Sequence, residues 1–350
     1  MVLHPDTLDL LAEGPDLLAA LGLDACFKTE LPASQIEIAA RPAGTIADLA
    51  HELMSARRRL AEAIGGRARL AVAGAHPFAQ PSGLITDLER YRHTLERYGP
   101  VARRQLICGL HVHVTVPGGQ VLRVHNALRS YLPEIAALAA NAPIFEGADT
   151  SMASIRPQIS TLLPRQGVPP AIPSWEWLAS QLEWGLHAGS LSRTGEWWWE
   201  LRLNVVVGTL EIRVPDAQTT VEDAMAVTAF VAALVRWLAE RDDVGDPAPD
   251  WRINENRWSA ARFGVAGTMA DLDSGAVRPT RDRILQLIDE VSGFAPPGGK
   301  PGLEAARRLV EDPPAERQRA VMRRSGARGV AEWLAGRFLE PPAPTFQEYK

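Results

Sequence analysis

A chain of 350 residues with 46% hydrophobic and 23% charged side chains has the composition of a globular protein, large enough to bury a sizeable core in one large domain or two modest ones. Its net charge of -5, with both signs interspersed, excludes the basic stripe of a nucleic-acid binder and points to a small-molecule partner. Cys26 and Cys108 form neither a CxxC pair nor a disulfide framework, the acidic start (Asp6, Asp9, Glu13, Asp16) is unlike a signal peptide, and the apolar run Ala224 to Leu238 is shorter than the ~20 residues a bilayer needs; these features predict a cytoplasmic protein with no membrane partner.

In chain order, Leu8 to Leu21 is expected as a short helix broken by Gly22, and Ser34 to Ala40 alternates like a strand. Thr45 to Ile64 reads as a helix, capped by Thr45 with Asp48 three residues on and ended by Gly65-Gly66. Arg69 to Ala75 is a small apolar strand leading into His76-Pro77-Phe78, Asp87 to Tyr98 a polar helix, Leu106 to Val116 a strand, and Gln120 to Ala140 a long helix kinked at Pro133. Pro157 to Pro173 holds five prolines and reads as a loop. Trp197 to Val205 and Gly208 to Val214 make two strands with a turn near Gly208-Thr209; Thr219 or Thr220 then caps a helix to Glu240. After the connection Asp246 to Asp250, the rest to Lys350 reads as mostly helical, with breaks around 296 to 302 and 313 to 314. Without steady strand–helix alternation, this order predicts an α+β fold, an antiparallel sheet with helices packed on one face.

Residues two apart on a strand share a face. Gln35 and Glu37 therefore oppose Ile36 and Ile38, and His111 and His113 oppose the neighbouring valines. Glu200, Arg202 and Asn204 share a face, as do Glu211 and Arg213. One such strand would be no more than the wet side of a sheet. Four together describe a polar cavity in which carboxylates and an imidazole hold a hard divalent ion and arginines hold phosphate oxygens. No GxxxxGK[ST] or GxGxxG supplies a phosphate cradle. Trp197-Trp198-Trp199 could stack on adenine, although such clusters more commonly pack a core.

At these residues the chain resembles the type 2 glutamate-cysteine ligase, or YbdK-like carboxylate-amine ligase, family, from about Leu3 to Trp333. The resemblance is carried by Ser34-Gln35-Ile36-Glu37-Ile38-Ala39, Gly74-Ala75-His76-Pro77-Phe78, Arg103 through Val114, Glu146-Gly147-Ala148-Asp149-Thr150, Ala153-Ser154-Ile155-Arg156, Gly208 through Val214, and Glu255-Asn256-Arg257-Trp258. It implies a glutamine synthetase-like architecture: a curved antiparallel sheet around an ATP and Mg²⁺ site (Mn²⁺ as an alternative), with helices outside. It also implies formation of γ-glutamylcysteine from glutamate and cysteine through a γ-glutamyl phosphate, and homo-oligomerisation as a dimer. On matching positions Glu37, His113 and Glu211 would be metal ligands, with Glu30 a further candidate. Arg213 and Arg202 would contact ATP or the acyl phosphate, Arg156 and Arg103 the phosphates or the substrate carboxylate, and His111 and Gln35 would complete the pocket.

Two departures stand out. The family has Asp and then Arg-Pro where this chain has Glu200 and Arg202-Leu203, and it opens with a Gly-Val-Glu-x-Glu strand whose acids bind metal, whereas Val2-Leu3-His4-Pro5-Asp6-Thr7 resembles only the turn that follows that strand. The competing readings are a zinc amidohydrolase built on His111-x-His113 and a non-catalytic remnant of the ligase fold.

Overall fold

A computed structural model describes residues 1–22, 25–192, 194–242 and 244–346. Its strands are short. The first four are β1 (Val2–Leu3), β2 (Phe27–Thr29), β3 (Ile36–Ile38) and β4 (Arg69–Leu70), followed by β5 (Val112–Val114), β6 (Ile144–Phe145) and β7 (Ala148–Asp149). β8 (Leu201–Asn204), β9 (Thr209–Ile212), β10 (Thr268–Ala270) and β11 (Val277–Pro279) complete the set. Every strand pair is antiparallel: β1 with β4, β2 with β3, β6 with β7, β10 with β11, and a three-stranded β5-β9-β8.

The helices are α1 (Gly14–Leu21), α2 (Ile46–Ile64), α3 (Glu89–Tyr98), α4 (Val121–Leu128), α5 (Leu132–Leu138) and α6 (Arg156–Ser160), then α7 (Trp175–His187), α8 (Val221–Glu240), α9 (Asp250–Phe263), α10 (Thr280–Val291), α11 (Lys300–Glu311) and α12 (Pro314–Gly336). The fold is α+β with small antiparallel sheets, rather than the one curved sheet the sequence suggested. Single contacts nevertheless run the sheets edge to edge. Val2 N–H donates to Ser34 O at 2.8 Å, Cys108 N–H to Gly74 O at 2.9 Å beside the Ala75–Ile107 bridge, and Leu110 N–H to Pro215 O at 3.0 Å beside the Gly109–Asp216 bridge. β3, β1, β4, β5, β9 and β8 thus form a discontinuous wall. Pro77, Pro117 and Pro215 interrupt it, because proline donates nothing to a ladder.

One side of that wall is greasy. Val112, Leu201, Leu210 and Ile212 belong to the same core as Phe230, Val231, Leu234 and Val235 of α8, which is buried nearly all round. Thr220 starts α8 by accepting from Asp223 N–H at 3.1 Å, as Thr45 starts α2 by accepting from Asp48 N–H at 3.0 Å. With α8 behind β5-β9-β8, the opposite face is left to the polar residues.

Several expectations change. Val2-Leu3 is a strand and only Pro5 to Thr7 a turn; the buried Met1 amine donates to Ala71 O at 2.9 Å. α1 starts at Gly14 because Leu8 takes φ 64°, outside any helix. The expected 120–140 helix is two helices joined by a tight turn at Arg129–Tyr131, and Pro133 opens the second, where its missing N–H costs nothing. Glu146 (φ 50°) and Gly147 (φ 83°) close the β6–β7 hairpin in the left-handed conformation a two-residue turn requires. The α7 helix, its N-terminus capped by Ser174, and the strands β2, β10 and β11 are further elements that the chain-order reading lacked. The final four residues of the stretch expected to be helical lie outside the described residues.

Candidate active site

The register of β5-β9-β8 puts His113, Glu211 and Arg202 in one row. Glu211, 2% exposed, is its centre. Its carboxylate accepts from Arg202 Nε at 2.7 Å and Nη2 at 3.1 Å, from Arg213 Nη1 at 2.5 Å and from Asn204 Nδ2 at 2.9 Å. Burial works to raise the Glu211 carboxyl, but Arg213 and the Arg202 hydrogen bond outweigh it and hold the group well below the usual carboxylate range. Glu211 is therefore a fixed anion that aims two arginines.

Those arginines differ in what they have left. Arg202 spends its remaining Nη1 on Gly195 O at 2.9 Å, whereas the Nε and Nη2 of Arg213 have no partner among the described residues. Arg213 is thus the guanidinium with a free fork. His111 Nδ1 lies 3.4 Å from Arg213 Nη1 and 3.8 Å from Glu211 Oε1, and burial together with the Arg213 charge keeps its imidazole neutral well below the ordinary histidine range. His113 is exposed on the open face, with Nδ1 2.9 Å from Thr209 Oγ1.

The β2–β3 hairpin adds acid. Glu30, just past β2, has its carboxyl raised to about 7 by burial, by a hydrogen bond with Glu37 and by the Glu37 charge, with Arg213 pulling weakly the other way. A second like charge beside it disfavours ionisation of Glu30, in the same direction as burial. Glu37 also meets its cross-strand neighbour Lys28 at 3.4 Å. Over the hairpin, Tyr91 of α3 donates to Thr29 O at 3.0 Å and accepts from Arg90 Nη2 at 2.8 Å; burial and the Glu30 charge push its phenol up to about 12.

Among the described residues no three His, Cys, Asp or Glu side chains converge to hold a metal ion. Glu30 and Glu37 do supply two adjacent carboxylates. That donor set suits magnesium, which is typically held by one or two carboxylates, with waters and substrate phosphates completing its shell. Glu211, its oxygens taken by arginines, is not arranged as a free ligand here.

The remaining sequence candidates lie around this centre in supporting positions. Arg156 donates to Val214 O at 3.2 Å and Arg213 O at 3.0 Å and lies 3.7 Å from Asp216, so it clamps the end of β9 rather than presenting a fork to a phosphate. Gln35, buried, donates to Ile107 O at 3.2 Å and ties β3 to the segment before β5. Arg103 makes no side-chain hydrogen bond or ion pair among the described residues and is half-buried in the turn after α3. Glu200, expected beside Arg202 and Asn204, instead accepts both arms of Arg257 of α9, Nε at 2.9 Å and Nη2 at 2.7 Å. It precedes β8 and joins a buried pair, while Arg202 and Asn204 turn to Glu211. Sequence reasoning missed Tyr91 as a site residue, and it put Asn204 on the polar face with Arg202 without giving it a role. Asn204 was legible from its two-residue spacing after Arg202; nothing in a polar helix singled out Tyr91.

A family model for glutamate-cysteine ligase family 2 (GCS2) matches residues 7–332. A protein of Rubrobacter xylanophilus, named provisionally as glutamate–cysteine ligase 2-3, is 37% identical over 344 residues, 95% of this chain and 91% of that protein. One from a Jannaschia species, named provisionally as glutamate–cysteine ligase 2, is 31% identical over 96% of this chain and 92% of its own length. Among solved structures, glutamate–cysteine ligase of Francisella tularensis in complex with AMP matches with TM-score 0.70 and 14% identity over 99% of this chain and 89% of that one. A bifunctional glutathione synthetase from Pasteurella multocida matches with TM-score 0.67 and 15% identity over 93% of this chain and 48% of that one. At those identities the structures share the fold.

Proposed function

The chain belongs to glutamate-cysteine ligase family 2, and on that premise we propose that it is an ATP- and Mg²⁺-dependent ligase joining the side-chain carboxylate of L-glutamate to the amine of L-cysteine. One observation carries the reading for this chain: a paired acid, Glu30 with Glu37, lies within the field of Arg213, whose free fork is aimed by Glu211. Paired carboxylates beside an oriented guanidinium form a metal-and-phosphate constellation.

The reaction balances in two transfers. A glutamate carboxylate oxygen attacks the γ-phosphorus of ATP, the bond to the β-γ bridging oxygen breaks, and ADP leaves. The amine nitrogen then attacks the acyl carbon, phosphate departs with the carboxylate oxygen, and the amine proton is lost to solvent or phosphate. Positioning and charge neutralisation dominate such chemistry. Arg213 binds an oxygen of the transferred phosphoryl group, Glu211 and Arg202 hold that guanidinium in place, and neutral His111 adds a hydrogen bond without a second positive charge. Arg103, which spends no side-chain donor on another described residue, would pair with the substrate carboxylate. Glu30 and Glu37 would hold the magnesium ion, with His113 a further candidate ligand and Glu211 acting through the arginines; bound there, the ion would offset the charge of the nucleotide phosphates.

ADP release in a coupled assay should require ATP, Mg²⁺, glutamate and an amine together. Turnover with Zn²⁺ and no ATP would instead favour a hydrolase, a reading that neither the family nor the cationic surroundings of His111 support.

A further inference from the structure

Past β9 the chain runs from Arg213 into α8 without helix or strand, yet it is tied down along its length. Each backbone carbonyl from 213 to 219 accepts a hydrogen bond, and all but that of Pro215, which takes Leu110 N–H, receive it from a side chain. Arg156 serves Arg213 and Val214, Gln218 serves Asp216, Asn141 serves Ala217, and Arg57 serves Gln218 and Thr219. A connecting segment more commonly turns such groups to water. In its middle lies Asp216, buried. The Oδ2 of Asp216 accepts from Asn141 N–H at 2.7 Å, and its Oδ1 lies 3.7 Å from Nη1 of Arg156, the atom that holds Val214 O. Burial raises the Asp216 carboxyl, and the Arg156 charge is the first of the influences against it. Two glycines leave room for this pair: a Cβ on Gly74 would stand 2.7 Å from Asp216 Cγ, and one on Gly109 2.4 Å from Arg156 Nη2.

We propose that Asp216 is a positioning residue for the phosphoryl-binding guanidinium: through Arg156 it fixes the backbone of Arg213, and with it the direction of the fork. The inference rests on the ligase reading above and adds a residue that the chemistry itself does not touch. Glu211 holds Arg213 by its guanidinium and Arg156 holds it by its carbonyl, so the side chain is defined at both ends. A long side chain anchored at its tip alone could still swing with its Cα. Arg156 in turn needs an anion to stay where it is. Its Nε is buried without a hydrogen-bond partner among the described residues, and a buried guanidinium is held cheaply only beside an opposite charge. Capping Asn141 N–H does not explain a carboxylate, since the oxygen of a neutral amide would accept from that N–H as well. The charge of Asp216 has its use at Arg156, and Arg156 has its use at the backbone of Arg213.

The test is Asp216→Asn in the full chain, which keeps the size of the side chain and an oxygen for Asn141 N–H but removes the charge facing Arg156. kcat/KM for ATP should fall about ten- to a hundredfold, the order that misplacing a reacting group costs, while the KM values for glutamate and the amine stay put. Added to Arg213→Lys, the substitution should cost little more, because both act on one guanidinium. Gln218→Met loosens the same segment at Asp216 O and Ala139 O, away from Arg213, and should lower the urea midpoint with kcat/KM for ATP unchanged. Should Asp216→Asn not fold, Arg156→Lys, which keeps a charge beside Asp216 but cannot reach two carbonyls, should show the same selective loss. Wild-type ATP parameters in these variants, full additivity with Arg213→Lys, or an equal loss in Gln218→Met would overturn the assignment. Inorganic pyrophosphate binding, followed by calorimetry, needs no turnover and should be several-fold weaker in Asp216→Asn. If the wild type forms no amide, that weakening leaves the positioning role standing and the ligase reading fallen, whereas equal affinity or no binding overturns both.

Discussion

The Glu30–Glu37 pair makes the metal-free protein sensitive to pH in a window that can be calculated. The Glu30 carboxyl, ordinarily at 4.5, is raised to about 7 in the fold. Between those values the native state keeps a proton that the unfolded chain has released, so stability falls as pH rises through the window and is lowest above about 7. The shift corresponds to up to about 3 kcal/mol. His76 and His125, which are buried, and His111 and His113 on the polar face have lowered values and act in the opposite sense, destabilising the fold as pH falls below the ordinary histidine range. Comparison with Glu30→Gln removes their contribution. Urea denaturation of the metal-free protein at pH 5, 6, 7 and 8 should show the wild type losing stability relative to Glu30→Gln by about 3 kcal/mol across the series. Magnesium changes the sign of the problem, because it needs both carboxylates ionised: at pH 6 binding should expel about one proton and be roughly tenfold weaker than near pH 8, where it should expel almost none. Titration calorimetry in buffers of different ionisation enthalpy counts that proton. Parallel stability curves for wild type and Glu30→Gln, with magnesium affinity independent of pH, would refute a raised Glu30 carboxyl.

Arg213→Lys should keep metal binding and the circular dichroism of the fold but lose about 10²-fold in kcat/KM, because an ammonium cannot reproduce the guanidinium fork; near-normal turnover would remove Arg213 from the phosphate. Arg257→Met strands the buried Glu200 carboxylate and should cost about 3–5 kcal/mol in urea unfolding, most of it recovered when Glu200→Met is added; equal losses in the single and double variants would contradict a paired-charge explanation. Gly109→Ala would put a Cβ 2.4 Å from Arg156 Nη2, so the guanidinium must release the carbonyls of Val214 and Arg213; the expected cost is about 1–3 kcal/mol, accompanied by lower kcat, and an unchanged urea midpoint would show that the clamp is slack.

The sequence made the polar row legible because strand periodicity alone places Arg202, Asn204, Glu211 and Arg213 on shared faces, and β8 and β9 follow that rule. Glu200 broke it at the position where the ladder ends. One residue before β8 the backbone bends, N–H donates to Gly167 O, and the side chain is taken by Arg257 from a helix more than fifty positions away. Periodicity carries no information about such a distant partner. Arg156 is a similar case: its identity suggested a phosphate ligand, but Gly109 leaves room for it to lie under β9 and bond two carbonyls, a use visible only in three dimensions. The single sheet expected from the strand pattern emerged as several pieces because prolines and isolated bridges replace ladder bonds between them. The helices were easier where chemistry marked their ends, as Thr45 and Thr220 do. The interior break at Arg129–Tyr131 has no glycine to announce it.

The central claim is that a carboxylate oxygen passes to phosphate on the way to an amide. Glutamate labelled with ¹⁸O in its side-chain carboxylate, incubated with ATP, Mg²⁺ and cysteine, should yield inorganic phosphate carrying one ¹⁸O atom for each ADP and each amide formed. Unlabelled phosphate, or ADP released at the same rate without glutamate and amine, would contradict the acyl-phosphate route and with it the proposed function.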